Sequence, residues 1–232
     1  MRKQQGFTLV EIAIVLVIIG LLLGGILRGQ ELIQNARVRN IIDQQNGIKA
    51  AFFGFQDRFR MIPGDLTAAQ IAQVGSGVIV AATAGNGQID ATDVSMAFQN
   101  ITITGFISCQ NCTGTGTVAT NVNSPVNVYG GVLQLVTDTV YSTPTQISPG
   151  NGQIRHNIKT GNLIPSNVMY EADVKIDDGV PNGGQFRFSN WMAAGGTAPP
   201  DTCENGAVSA TTPWNTVANA VTLNCGGATL IN

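Results

Sequence analysis

One acidic residue, Glu11, interrupts an otherwise apolar N-terminal segment. Two basic residues, Arg2 and Lys3, precede it, and an unbroken apolar run extends from Ile12 to Leu27. A carboxylate inside an apolar membrane helix costs about 2.5–3.5 kcal/mol on insertion scales, and such residues usually have a function and a partner. The run approaches the roughly 20 apolar residues that cross a bilayer. Glu11 is therefore the residue from which we first expect chemistry.

Three kinds of N-terminal segment fit this pattern. A secretory signal peptide would end in a small-residue cleavage site after the apolar run, but here the sequence continues Leu27-Arg28-Gly29-Gln30-Glu31. A plain membrane anchor explains the apolar length and leaves Glu11 unexplained. Cleavage between Gly6 and Phe7 would remove the basic leader and create a new amine four residues before Glu11. The carboxylate could then offset an N-terminal ammonium, its own or that of a neighbouring chain.

The segment Gly6-Phe7-Thr8-Leu9-Val10-Glu11, with the apolar run after it, resembles the N-terminus of type IV pilins and type II secretion pseudopilins. The resemblance implies that a prepilin peptidase removes residues 1–6 and that the new amine of Phe7 is N-methylated. It also implies that Glu11 pairs with the Phe7 amine of an adjacent subunit during filament assembly from the inner membrane. The resemblance is strong over residues 1–65 and covers the remainder only in general plan.

One long helix must carry this segment. Residues 8–60 contain no proline, and we predict a helix over 7–62 whose half 7–27 is the membrane anchor and filament core. Glycines allow close contact between membrane helices. In filaments of the resembled family the corresponding region loses helical hydrogen bonds, so melting and simple packing are both open at Gly20, Gly24 and Gly25.

Beyond residue 29 the predicted helix becomes amphipathic and should pack against a globular head. Its apolar stripe, at helical spacing, includes Leu32, Ile33, Val38, Ile41 and Ile48. Four phenylalanines follow as large core anchors: Phe52, Phe53, Phe55 and Phe59. Pro63 and Gly64 should end the helix.

The head is expected over residues 63–232, and the fold class is α+β, with the long helix packed on an antiparallel sheet as in type IV pilins. We predict a connector over 63–127 in which Asp90 or Thr92 caps a short helix carrying Val94, Phe98 and Ile101. The predicted sheet region, 128–190, contains strand patterns at 132–136, 153–158 and 184–188. It also contains a helix that Ser166 should cap. The turn 149–152 and a disulfide-closed loop over 203–225 complete the plan.

The four cysteines, Cys109, Cys112, Cys203 and Cys225, allow three pairings. Cys109 and Cys112 form a C-x-x-C motif without a βαβ context or nearby zinc ligands, so a small disulfide-closed loop is favoured over a redox or zinc site. A Cys203–Cys225 disulfide would close a loop around Trp214 and contribute roughly 3 kcal/mol in the chain-entropy model. Its position matches the C-terminal loop of pilins.

Two further groups of polar residues are candidates for chemistry. Asp173, Asp177 and Asp178 lie close together before a Gly-rich turn, where they either cap the turn or bind calcium, as some pseudopilins do in their C-terminal loops. No cofactor is expected, and calcium is the one alternative. The sole histidine, His156, is expected on the surface of a strand.

Charge and motifs limit the function classes. Residues 28–60 hold six basic and three acidic side chains, whereas residues 61–232 hold four basic and ten acidic ones. The acidic head argues against nucleic-acid binding, which requires a basic footprint. Catalytic and nucleotide-binding fingerprints such as G-x-S-x-G, the P-loop and H-E-x-x-H are missing, so no enzyme is expected.

These observations favour a pilin that self-associates into a helical type IV pilus or type IV-like filament. The alternatives are a type II secretion pseudopilin and a minor pilin acting as a tip adhesin or DNA-uptake factor. The expected partners are the prepilin peptidase, the inner-membrane assembly platform and other copies of the chain. The expected location is the bacterial inner membrane before assembly, then a surface pilus or a periplasmic pseudopilus.

Replacement of Gly6 by arginine tests the cleavage position. Gly6→Arg should block leader removal, because a long charged side chain would stand beside the scissile bond. The mass of the N-terminal peptide of the membrane-extracted protein should then be that of the uncleaved chain. A variant that still loses its first six residues would contradict cleavage at Gly6.

Overall fold

The computed structural model describes residues 9–75, 77–78, 81, 83–110, 112, 116–141, 153–191, 203, 213–216 and 223–231. The chain divides into two compact units, the first ending at Arg37 and the second beginning at Val38. The helices are α1 (Leu9–Phe59), α2 (Ala68–Val74), α3 (Val94–Ile103) and α4 (Ser166–Ile176). The strands are β1 (Gln134–Asp138), β2 (Arg155–Lys159), β3 (Ile164–Pro165), β4 (Phe186–Phe188), β5 (Leu223–Cys225) and β6 (Gly227–Leu230).

Helix α1 ends three residues before the predicted boundary at residue 62. Arg60 follows the helix with a φ of 57°, and its N–H donates to the carbonyl of Gln56 at 2.8 Å. A left-handed residue directly after a helix is a common way to satisfy its last carbonyl groups. Pro63, which favours an extended residue before it, then carries the chain away from the helix axis.

The main sheet has four antiparallel strands in the order β1-β2-β6-β4. Leu135, Ile158, Thr229 and Phe186 are paired across it in one continuous row. Side chains of one row share a face of the sheet, and this face is the one that meets α1. The α+β class, with a long helix on an antiparallel sheet, is therefore confirmed.

The second half of α1 supplies the centre of two hydrophobic clusters. Ile48 and Phe52 pack with residues of α3, β1 and β2. Val38 and Ile41 belong to the cluster that contains α4, β4 and Trp214. The stripe that contributes to the head core begins at Val38.

The predicted stripe was wrong at its N-terminal end. Leu32 and Ile33 are 61% and 56% exposed. Helical spacing alone identifies an apolar stripe but does not say where along it the partner surface begins.

A strand beyond the predicted sheet region completes the sheet. β6 lies between β2 and β4, although the sheet was expected over 128–190 only. Its first residue, Gly227, is closely packed, since a Cβ there would lie 2.6 Å from Met169 Cε and 2.7 Å from Phe186 Cζ. The glycines and the shortness of this strand weakened its sequence signal.

The structure also differs from the prediction at the starts of three helices. α2 was not predicted, although Thr67 and Gln70 form a capping box in which the Thr67 N–H donates to Gln70 Oε1 at 2.8 Å. Asp93, not Asp90 or Thr92, occupies the N-cap of α3. Ser166 was predicted as the cap of α4, but Pro165 holds that position and the Ser166 hydroxyl donates instead to the carbonyl of Asn215.

Adjacent phenylalanines on α1 provide a matched test of this packing. Phe52 is 1% exposed and Phe53 is 38% exposed. Phe52→Ala should lower the free energy of unfolding by about 3–5 kcal/mol, because it leaves a cavity in the core. Phe53→Ala should have a much smaller effect, about 0.5 kcal/mol. Urea unfolding of the full chain in detergent micelles measures both, and equal losses would contradict the orientation of α1.

Candidate functional site

The apolar half of α1 is the largest candidate site in the described chain. Its large apolar side chains from Leu9 to Leu27 are all exposed. α1 is the one helix among the described residues that is long and apolar enough to cross a membrane, and its most apolar stretch is not buried. Apolar surface of this extent is unstable in water. It therefore requires lipid or other apolar helices around it.

Glu11 lies in the first turn of α1 and is exposed. Gly6 and Phe7, the predicted cleavage and methylation residues, lie outside the described residues. The structure therefore places the carboxylate at the start of the apolar half, while its proposed pairing with a Phe7 amine stays a prediction.

The glycines of this half have no structural role that the single chain reveals. α1 continues through Gly20, Gly24 and Gly25, and a Cβ built at any of them would meet nothing within 4 Å. Glycine weakens a helix by about 1 kcal/mol relative to alanine. An advantage of glycine at these positions would thus have to arise from contacts with other molecules or from local melting.

Two disulfides stabilise the head. Cys109 and Cys112 are joined with a Cα–Cα distance of 5.4 Å, and Cys203 and Cys225 with one of 5.6 Å. Cys112 is buried in the cluster of Phe52 and α3. Cys203 and Cys225 are buried beside Trp214. Each disulfide therefore connects a loop to one of the two clusters that contain α1.

Ligand atoms of the three clustered acids, Asp173, Asp177 and Asp178, lie within 4.8 Å of one another. Asp173 is buried, and its Oδ2 accepts the indole N–H of Trp214 at 2.6 Å. Asp177 Oδ2 accepts the N–H of Phe186 at 2.9 Å, and also that of Gln185. These bonds connect the end of α4 to the start of β4, which is a capping role.

A cation could still bridge the three carboxylates. Calcium takes six to eight oxygen ligands, and three carboxylates at this separation could supply several of them. Some of their oxygens already accept N–H groups, so the fit is partial. Calcium binding at this cluster stays a prediction.

One proton is shared within the cluster. Burial and the hydrogen bond to Asp177 raise the pKa of Asp173 to about 8, against the opposing effect of the hydrogen bond from Trp214. Burial alone would raise the pKa of Asp177 as well. The hydrogen bond from Asp173 and the backbone N–H groups of Phe186, Asp178 and Gln185 outweigh it, so the pKa of Asp177 is lowered. At neutral pH Asp173 is thus the protonated partner and Asp177 the ionised one.

The other face of the sheet contains a buried ion pair that the sequence did not reveal. Lys159 is 1% exposed, and its Nζ lies 3.0 Å from Asp138 Oδ1. The ammonium also donates to the carbonyl of Val140 and lies 5.9 Å from the centroid of the Tyr141 ring. Burial lowers the pKa of Lys159 to about 8 despite the opposing effect of Asp138. No motif marks this pair, because its members are neighbours only through the β1–β2 register.

His156 was predicted on the strand surface, and this was wrong. It is half-buried, its Nδ1 lies 2.7 Å from Thr137 Oγ1, and its ring centroid lies 5.5 Å from that of Phe52. It shares the α1-facing side of β2 with Ile158. His156 and Ile158 are two residues apart on one strand and therefore share a face of the sheet. The α1-facing position of His156 could thus have been predicted once Ile158 was recognised as a core residue.

The geometry defines a class of protein. The second half of α1 belongs to a head with a helix-on-sheet core, and the first half of α1 is an exposed apolar segment that suits a lipid or helical environment. Residues 1–27 match the family model described as the prokaryotic N-terminal methylation motif, the signature of type IV pilins and pseudopilins. The match supports a type IV pilin-like or pseudopilin protein and points to a structural subunit. Searches of curated proteins and of solved structures found no significant match.

The shared proton of the acid cluster gives a testable pH dependence. Asp173 has a pKa of about 8 when folded and an ordinary value of 3.8, so the folded chain binds more protons between these values. Its contribution to stability is full below pH 3.8 and is lost as the pH rises towards 8, by up to about 1.4 kcal/mol per pH unit. Asp173→Asn should remove this loss.

The comparison uses urea unfolding of the full chain in micelles at pH 5, 6, 7 and 8. The stability of the wild type relative to Asp173→Asn should fall steadily with pH. The exposed neighbour provides the control, since Asp178→Asn should keep the wild-type slope. A constant difference between wild type and Asp173→Asn would contradict the proton on Asp173.

Proposed function

We propose that this chain is a pilin, a structural subunit of a type IV pilus or type IV-like filament. The observation that carries the proposal is the methylation motif at residues 1–27, which from Leu9 onward lies in a helix whose apolar surface is exposed along Leu9–Leu27. A membrane anchor requires the apolar surface but not the motif. A subunit that is first stored in a membrane and then polymerised requires both.

The assembly step follows from the energetics of Glu11. In the bilayer its carboxylate is unfavourable by about 2.5–3.5 kcal/mol on insertion scales. In a filament core, the apolar side chains around it would remain among other apolar helices, so little hydrophobic free energy is lost. A partner ammonium from the Phe7 amine of a neighbour would compensate the charge. Glu11 thereby favours transfer of the helix from lipid to filament.

The head supports a pilin in preference to a pseudopilin. It contains two disulfides, and disulfides are typical of proteins exposed to oxidising surroundings outside the cytosol. The head expected over residues 63–232 is also large for a major pseudopilin. Because the bacterial periplasm is oxidising as well, the disulfides fit both filaments, and the size of the head carries the preference.

Two acidic residues of α1 test the role of Glu11. Glu11→Ala should leave membrane insertion and leader removal intact but strongly reduce the amount of assembled filament, because the neighbour's ammonium loses its carboxylate. Glu31→Ala is the control. Glu31 lies on the same helix beyond the apolar run and is exposed, with a 2.7 Å ion pair to Arg28, so its loss should not alter filament yield.

Filaments sheared from cells are measured against the membrane-bound chain. Normal filament yield from Glu11→Ala would contradict the pairing role, and absence of leader removal in the same variant would point to the peptidase instead. Electron microscopy of cells with and without the chain distinguishes the two kinds of filament. Surface fibres support the pilin, whereas a secretion defect without fibres supports the pseudopilin.

A further inference from the structure

His156 lies where three parts of the head meet. It is paired with Thr137 across the β1–β2 ladder, on the same side of the sheet as Leu135 and Ile158. Phe52 of α1 covers one side of its ring. The third part is the segment 83–90. It is here called the Asp65 loop because the Asp65 side chain accepts hydrogen bonds from its backbone. Thr137 connects this loop to β1, and Asp65 connects it to the residues that follow α1.

Thr137 connects the Asp65 loop to His156. The N–H of Ile89 donates to Thr137 Oγ1 at 2.8 Å, and the N–H of Thr137 donates to the carbonyl of Ile89 at 2.8 Å. The hydroxyl therefore already accepts one hydrogen bond and has its own hydrogen to donate. His156 Nδ1, at 2.7 Å, is placed to accept it. We assign a neutral ring with its proton on Nε2, the tautomer that completes this chain.

Asp65 holds the other side of the same loop. Its Oδ1 accepts the N–H groups of Gly85 at 2.5 Å and Asn86 at 3.1 Å, and its Oδ2 accepts that of Gly87 at 2.7 Å. Asp65 is 6% exposed. Three N–H donors satisfy most of the capacity of a buried carboxylate, so this residue and Thr137 together fix the path of the loop.

Among the described residues, Asp65 is the charged side chain that acts on the pKa of His156. Burial lowers the pKa of His156, and Asp65 raises it. Charged groups on the surrounding elements are engaged elsewhere. Lys49 of α1 donates to Gln185 Oε1 at 3.3 Å, Asp90 accepts from Thr83 and Asn86, and Asp138 and Arg155 are paired in register on the opposite face of the sheet.

We propose that His156 is an acid-responsive switch for the Asp65 loop. Neutral His156 holds the loop to the sheet, and protonated His156 releases it. A proton on Nδ1 removes the acceptor for the Thr137 hydroxyl and makes Nδ1 a donor. The hydroxyl hydrogen must then turn away, and Thr137 Oγ1 is shared between the imidazolium N–H and the Ile89 N–H, which weakens its bond to Ile89. The imidazolium also attracts the Asp65 carboxylate, in competition with the N–H groups of Gly85, Asn86 and Gly87. Both ends of the loop loosen through one protonation.

The direction with pH follows from the environment of the ring. Because burial holds the pKa of folded His156 below its ordinary value of 6.5, the unfolded or loosened chain binds the proton more readily. The stabilisation by neutral His156 is fully present above pH 6.5 and is lost as the pH falls below it. The response therefore belongs to mildly acidic surroundings.

Hydrogen exchange of the full chain in detergent micelles tests the proposal. Exchange of peptides covering 83–90 is compared at pH 7.5 and pH 5.0 after correction for intrinsic rates, with the buried part of α3 as the internal reference. Wild-type exchange in the loop should rise about tenfold relative to α3, since one linked proton changes an equilibrium by up to tenfold per pH unit.

Three variants separate the histidine from other acid effects. His156→Asn has an uncharged amide near the position of Nδ1 and should abolish the acid response. Thr137→Val should give fast exchange at both pH values, whereas Thr137→Ser retains the hydroxyl and should respond like the wild type. Should His156→Asn fail to fold, the comparison of Thr137→Val with Thr137→Ser decides whether the proposal holds. An unchanged wild-type loop, a full response in His156→Asn, or a full response in Thr137→Val would each overturn the proposal.

Discussion

The exposed apolar half of α1 is the constraint on which the rest of the structure depends. Its side chains from Leu9 to Leu27 are exposed in the single chain, and burying apolar surface is worth about 25 cal/mol per Å². The apolar half of α1 must therefore be surrounded either by lipid or by similar helices. The match of residues 1–27 to the methylation motif favours a protein that enters both surroundings in succession.

The same helix that creates this constraint also organises the head. Beyond Val38 its buried residues contribute to separate clusters, one with α3 and β1 and one with α4 and β4. β6, from the C-terminal end, lies at the middle of the sheet, and the Cys203–Cys225 disulfide connects the strand before it to the cluster that contains Val38. Removing either end of the head sequence would therefore open the core that α1 completes.

Residues whose role depends on nearby sequence could be predicted, and residues whose role depends on distant pairing could not. The long helix followed from an unbroken apolar run and the absence of proline, and the methylation motif followed from six consecutive residues. β6 was missed because Gly227 is set by close approach of Met169 and Phe186, which no local pattern encodes. Lys159 and Asp138, or Asp173 and Trp214, meet only through strand register and loop closure. The α2 capping box, Thr67 with Gln70, was local and could have been found.

Buried ionisable groups give the head opposing responses to pH. Protonated Asp173 favours the folded state most at low pH, whereas neutral His156 favours it most above pH 6.5. Below pH 6.5 the two slopes oppose each other, so the acid cluster at the end of α4 offsets global destabilisation while the contacts of His156 weaken. Local loosening of the Asp65 loop can thus occur while the acid cluster gains stability, because protonation has opposite effects on the folded state at the two sites.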